Sequence, residues 1–367
     1  MNDDFCPIRG FDHVEFYVGN ARQSALFYEK GFGFRRTAYR GLETGSRDLA
    51  SYVLEQGGIR FVLTTALSPD HPVARSVLKH GDGVAAIALE VPDAARAFEE
   101  STRRGAERAM SPVELEDDSG VLRTAAIRAY GDTLIKFVER RGYGGVFAPG
   151  FEPPRWTRGN GTSDGVGLSS VDHIVGNVEL GAMDRWVRFF AETMGFSQLV
   201  HFDDKAISTE YSALMSKVMQ DGTGRIKFPI NEPAQGRRKS QIAEYLEYNR
   251  GPGVQHIAMA TGDILETVRR LRENGVEFLH VPGTYYEDLE ERVGPIEEPL
   301  ARLSELGILV DRDEDGYLLQ IFTQPVEDRP TVFFEVIERR GARGFGEGNF
   351  KCLFEAIERE QALRGNL

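Results

Sequence analysis

Residues 11–34 read FDHVEFYVGNARQSALFYEKGFGF, and residues 171–196 read VDHIVGNVELGAMDRWVRFFAETMGF. Each stretch opens on an apolar residue, Asp, His and a β-branched residue. Each then runs through a helical pattern to a Gly-Phe pair, Gly33-Phe34 and Gly195-Phe196. Two further pairs follow in the same order. GVAAIALEVPDAARAFEESTRRGAE from Gly83 matches GVQHIAMATGDILETVRRLRENGVE from Gly253, and DTLIKFVERRG from Asp132 matches TVFFEVIERRG from Thr331. Three matches in one order make the chain a tandem duplication of a unit of about 150 residues. The expected domains are 1–152 and 153–367.

Within each half the pattern is strand, helix and several strands, given twice, so each half holds two βαβββ modules. Strands that follow strands pair mostly antiparallel, which places the chain in the α+β class. The paired modules should curve into two open barrels, each leaving a cup. Residues 142–167, GYGGVFAPGFEPPRWTRGNGTSDGVG, are rich in Gly and Pro and read as an ordered strap between the halves. Phe147, Phe151 and Trp156 should pack this strap on a surface.

Composition narrows the function. The 367 residues are 41% hydrophobic and 28% charged, as expected of a globular chain with a real core. Lys and Arg total 44 against 57 Asp and Glu, a formal net charge of -13 that repels phosphate backbones and argues against nucleic acid. No apolar run is long enough for a membrane helix. The start, MNDDFCPIRG, has neither the basic nor the apolar region of a secretory signal. Two cysteines, Cys6 and Cys352, allow no disulfide framework, so a reducing cytoplasm is expected.

Aligning the two halves isolates the chemistry. His173 meets His13, His256 meets Ala86, and Glu335 meets Lys136. A purely structural set should survive in both copies. Only the second copy has His, His and Glu, and the first has a positive charge where the second has a carboxylate. A divalent cation would be held by the second set and repelled by the first. The three residues sit on three strands, so this is not the helical HExxH pattern. Two His and one carboxylate suit non-haem Fe(II), and zinc also takes such a set. His13 reads as structural, as do His71, His80, His201 and His280.

The run DEDGYLLQIFTQPVEDRPTVFFEVIERRGARGFGEGNFKCLFEAIEREQALRGNL from Asp313 resembles 4-hydroxyphenylpyruvate dioxygenases. So do KFPINEPAQGRRKSQIAEYLEYNRGPGVQHIA from Lys227 and STEYSALMSKV from Ser208. The resemblance implies the duplicated vicinal-oxygen-chelate fold, with the metal site in the second half only. It implies Fe(II) held by His173, His256 and Glu335. It implies roles at the reacting centre for Gln255, Gln320 and Phe333, and substrate contacts from Ser212, Asn231, Gln241, Phe345 and Phe350. The implied substrates are 4-hydroxyphenylpyruvate and O2, the products homogentisate and CO2, and the assembly a homo-oligomer. A similar enzyme, hydroxymandelate synthase, oxidises the benzylic carbon of the same substrate and typically has a smaller aliphatic residue where this chain has Phe333. Non-catalytic binding proteins of this fold tend to lack the triad.

Two features are legible without the resemblance. Alternation along a strand puts Phe333 and Glu335 on one face. Phe350, Leu353, Phe354 and Ile357 follow the i, i+3, i+4, i+7 pattern of a helix, with Asn349 as expected N-cap and Gly365 as stop. That apolar stripe over a barrel mouth would make a lid.

Overall fold

The computed structural model describes residues 4–154, 165–202, 214–234 and 239–365. Ser212 and Trp156 lie outside them. The first half contains β1 (Gly10–Tyr17), α1 (Ala21–Gly31), β2 (Arg35–Arg40), β3 (Leu49–Gln56), β4 (Ile59–Ala66), α2 (Pro72–His80), β5 (Gly83–Glu90), α3 (Ala94–Arg103), β6 (Arg108–Asp117), β7 (Gly120–Arg128) and β8 (Leu134–Tyr143). The second contains β9 (Leu168–Asn177), α4 (Met183–Met194), β10 (Ser197–Phe202), β11 (Leu214–Gln220), β12 (Lys227–Pro233), α5 (Gln241–Tyr248), β13 (Gly253–Thr261) and α6 (Ile264–Glu273). It continues through α7 (Leu289–Val293), α8 (Leu300–Leu306), β14 (Leu309–Arg312), β15 (Tyr317–Phe322), β16 (Phe333–Arg340) and α9 (Phe350–Leu363).

Each half is one 8-stranded sheet, and the two strand orders match position for position: β2-β3-β4-β1-β5-β8-β7-β6 and β10-β11-β12-β9-β13-β16-β15-β14. The βαβββ duplication read from sequence is therefore the architecture. Register supports the residue alignment as well. His13 faces Ala88, and Ala88 faces Lys136. In the second sheet His173 faces Ala258, and Ala258 faces Glu335.

Local chemistry is duplicated too. Asp93 and Asp263 cap α3 and α6, accepting from the backbone N–H groups of Arg96 (2.8 Å) and Glu266 (3.0 Å). Each cap satisfies a donor that the first helical turn leaves unpaired. Helix α4 buries Met183, Trp186, Phe190 and Met194 on one face and ends at Gly195, whose φ of +75° suits a residue without Cβ.

Strand alternation divides the core. On one face of the first sheet, Phe16, Phe61 and Leu63 join a core that continues into the second half. Phe334 is the clearest weld: its ring lies 5.0 Å from Phe32 and 5.9 Å from Phe61. On the other face, Ala38, Val53, Val62, Ala88 and Val138 line the first cup. The expected strap begins later than its composition indicates, because β8 runs to Tyr143. Beyond it the chain turns back and fills the first cup. Phe147 sits edge-on to His13 at 5.3 Å, and Phe151 packs on Phe147 at 4.9 Å. Beneath this plug Lys136 pairs with Glu15, which also accepts from Thr64 Oγ1 at 2.8 Å.

Polar contacts also cross between the halves. His80 Nδ1 lies 2.5 Å from the Asn249 carbonyl, and Arg329 donates to the Lys79 carbonyl at 2.7 Å. Nearby, burial together with the charges of Asp82 and Asp328 pushes the Glu327 carboxyl up from 4.5 to about 8. Folded protein thus keeps a proton that unfolded chain releases between those two values. That contribution to stability is complete below pH 4.5 and is lost as pH rises towards 8. Glu327→Gln should match the wild type in melting temperature at acid pH and exceed it increasingly up to about pH 8, measured by thermal scans across that range.

Candidate metal centre and its cavity

Two β-bulges build the site. Between β9 and β13 the register slips at Asp172 and again at Gln255. A bulge leaves one residue unpaired and re-aims its side chain, so sequence neighbours can share a face. Asp172 thereby stands beside His173, with Oδ1 2.7 Å from His173 Nδ1. Gln255 stands beside His256, with Oε1 3.1 Å from His256 Nδ1. If each Nδ1 carries the proton, both Nε2 atoms are left as lone-pair donors to the interior.

Those two Nε2 atoms converge on one carboxylate oxygen. Glu335 Oε2 lies 3.2 Å from His173 Nε2 and 3.4 Å from His256 Nε2. All three side chains are buried, and their donor atoms lie within 4.8 Å of one another. Burial would raise the Glu335 carboxyl, but the two imidazoles override it and hold it below its ordinary range. Burial lowers His256, whereas at His173 the pull of Glu335 and Asp172 outweighs burial and raises it. Three electron-pair donors turned towards each other repel unless a proton or a cation lies between them. Ligands bonded at about 2.1 Å and at right angles sit about 3 Å apart, so these separations fit a shared metal ion.

Around the triad lies a cavity. It takes Val175 from β9, Ser216 and Val218 from β11, Asn231 from β12, Phe322 from β15 and Phe333 from β16. Phe333 stacks on the His256 ring, with centroids 4.8 Å apart and planes 23° from parallel. Helix α5 contributes Gln241, its first residue. Helix α9 covers the mouth with Phe350, Leu353, Phe354 and Ile357, the stripe expected from its periodicity. Phe345, just before α9, packs edge-on to His173 at 5.1 Å.

Of the sequence candidates, Asn231, Gln241, Gln255, Phe333, Phe345 and Phe350 line the same cavity as His173, His256 and Glu335. Gln320 does not line it. It is fully buried beneath the turn at Gly346, and its amide has no hydrogen-bond partner among the described residues. Ser212 falls outside the described residues. Ser216 lines the cavity and was missed; it pairs in register with Asn231, and a period-two reading of LMSKV would have put it with Val218. Asn349 does not cap α9 with its side chain. Its Oδ1 instead accepts from the Tyr285 hydroxyl at 2.6 Å, from a segment before α7. The expected stop at Gly365 holds, with φ of +68°.

Comparison with known proteins agrees with this arrangement. A family profile described as "Hydroxyphenylpyruvate dioxygenase, HPPD, N-terminal" matches residues 3–148. One described as "Glyoxalase/Bleomycin resistance protein/Dioxygenase superfamily" matches residues 170–321. The 4-hydroxyphenylpyruvate dioxygenase of Yarrowia lipolytica is 47% identical over 98% of this chain and 94% of that protein. That of Dictyostelium discoideum is 46% identical over 98% of this chain and 100% of that protein. Among solved structures, a triply substituted 4-hydroxymandelate synthase from Streptomyces coelicolor superposes with a TM-score of 0.86 at 33% identity, covering 97% of this chain and 99% of that one. Near full-length identity to dioxygenases, on a duplicated sheet with a His-His-Glu cluster in one half, places the chain in the 4-hydroxyphenylpyruvate dioxygenase family.

Proposed function

We propose that this chain converts 4-hydroxyphenylpyruvate and O2 to homogentisate and CO2 at the cavity around Glu335. The observation that carries this reading is the convergence of His173, His256 and Glu335 in an aromatic cavity of a chain 47% identical to a named dioxygenase. The donor set fits Fe(II), which when bound supplies a chelation site for a 2-oxo acid and reactivity towards O2.

The chain's own residues orient and exclude. Asn231, Gln241 and Gln255 offer amides that hydrogen-bond a phenol or a carboxylate without titrating. Ser216 adds a hydroxyl beside Asn231. Phe333, Phe345 and Phe350 restrict how an aromatic ring lies next to the triad. Helix α9 keeps water out. In this reading residues 1–152 form a domain without a metal site, and 153–367 the catalytic domain. Both cysteines are free thiols, and no described helix is long and apolar enough to cross a membrane. The free thiols support a cytoplasmic setting. The homo-oligomer expected from the resemblance belongs to the proposal and is read by light scattering of the full chain.

Replacing any one of His173, His256 or Glu335 with Ala should abolish homogentisate formation while circular dichroism stays native. His13→Ala should retain iron and activity, measured by metal analysis and product assay. A chain truncated before Asn349 should lose O2 uptake with 4-hydroxyphenylpyruvate far more than it loses folded structure.

Phe333 separates this reading from benzylic oxidation. The two reaction outcomes differ at adjacent carbons of one substrate, and ~1.4 kcal/mol between their barriers changes the product ratio tenfold. Phe333→Ile should keep iron binding and decarboxylation, lower the rate, and divert part of the product to 4-hydroxymandelate or uncoupled products. Chromatography of the products checks it; unchanged homogentisate at an unchanged rate would remove Phe333 as the determinant.

A further inference from the structure

Asp172 does more than accept from His173. Its two oxygens also receive Arg339, with Nε to Oδ2 at 2.7 Å and Nη2 to Oδ1 at 2.8 Å. The Asp172 and Arg339 side chains are only 9% and 18% exposed. The remaining guanidinium nitrogen of Arg339 donates to the carbonyls of Ala342 (3.2 Å) and Gly344 (2.7 Å). Those carbonyls belong to the turn that delivers Phe345, and the guanidinium lies over the Phe345 ring at 5.6 Å. One ion pair therefore grips both a candidate metal ligand and the aromatic ring packed against it.

The first half holds the same four-residue unit. Arg140 forks onto Asp12, Asp12 Oδ1 accepts from His13 Nδ1 at 2.5 Å, and Arg140 also reaches the Phe147 carbonyl. Phe147 packs on His13 as Phe345 packs on His173. There the unit closes a cup already filled by the Lys136–Glu15 pair. The molecule thus carries its own control: one copy of the unit beside a candidate metal centre and one beside none.

We infer that Asp172 and Arg339 are positioning residues for the metal centre. They hold His173 with Nε2 turned towards Glu335 and seat Phe345 against its ring. A carboxylate accepting from the far nitrogen of a ligating imidazole fixes its tautomer and raises its basicity, and loss of such a partner typically weakens metal binding about 10–100-fold. A bidentate guanidinium in turn fixes the carboxylate. The inference rests on the reading of His173 as a metal ligand.

The test uses the full chain and Co(II) alone, with affinity from chelator competition, the visible absorption of bound Co(II), and a melting temperature for each variant. Asp172→Asn and Arg339→Lys should each weaken Co(II) binding about 10-fold or more and change its absorption band. Asp12→Asn and Arg140→Lys should lower the melting temperature but leave Co(II) affinity and spectrum unchanged. If all four variants lose stability alike and none changes Co(II) binding, the unit is structural in both halves and the inference is overturned. Should Asp172→Asn fail to fold, Arg339→Lys decides, because it keeps the charge while losing the fork. Wild-type Co(II) binding that survives His173→Ala would overturn the metal-centre reading itself, and this inference with it.

Discussion

The pairing of β9 with β13 at the middle of the second sheet is the constraint from which the site follows. A regular antiparallel ladder would alternate faces and send Asp172 and Gln255 away from the histidines that follow them. Two unpaired residues in that ladder reverse this outcome. Each histidine gains a partner on one ring nitrogen and turns the other inward. Strand β16 then pairs with β13 in parallel and brings Glu335 level with Ala258, opposite His173. The triad is thus a property of register. It needs no flexible loop, and its members come from three strands that neighbour one another in the sheet.

The first sheet has the same slips, at Asp12 and Ala85, and reaches a different end. Ala85 stands where Gln255 stands and offers no acceptor. Lys136 replaces Glu335, and its ammonium is neutralised by Glu15 rather than by an external ion. Phe147 and Phe151 then occupy the cup. The two halves share a backbone and differ in whether the interior charge is completed from within. The apolar plug belongs with that closure, since a filled and neutral cup has no use for an entrance.

Most of this was legible in the sequence because duplication doubles every signal. The Asp-His openings, the Asp caps and the Gly-Phe endings each occur twice, so their agreement marks fold and their disagreement marks chemistry. What escaped detection depended on contacts distant in the chain. Phe147 follows Arg140 by seven residues and Phe345 follows Arg339 by six, and the slip hid their equivalence inside a Gly- and Pro-rich stretch. Asn349 carries the right side chain for a cap, yet Tyr285 claims it from a segment that the first half lacks. Ser216 is marked only by the two-residue period along β11, a short strand whose sequence LMSKVMQ mixes apolar and polar residues on both faces. The amide of Gln320 matched a pattern of polar pocket residues, but the turn at Gly346 lies over it.

Strand β16 faces two ways within four residues. Phe333 and Glu335 line the cavity, while Phe334 and Val336 belong to the core that joins the halves. Phe334 rests on Phe32, Tyr28 and Phe61 of the other half. This geometry narrows the substitutions that lineages carrying such a chain can accept. A change that retunes the cavity from this strand must leave the neighbouring inter-half side chains in place, and drift in the metal-free half is restrained wherever it backs onto them. The first half lacks the full ligand set, yet constraints on the second still reach it through packing. The freer positions lie at the far edge of its sheet, where β6 pairs with β7 and leaves Ser111 to Asp117 exposed.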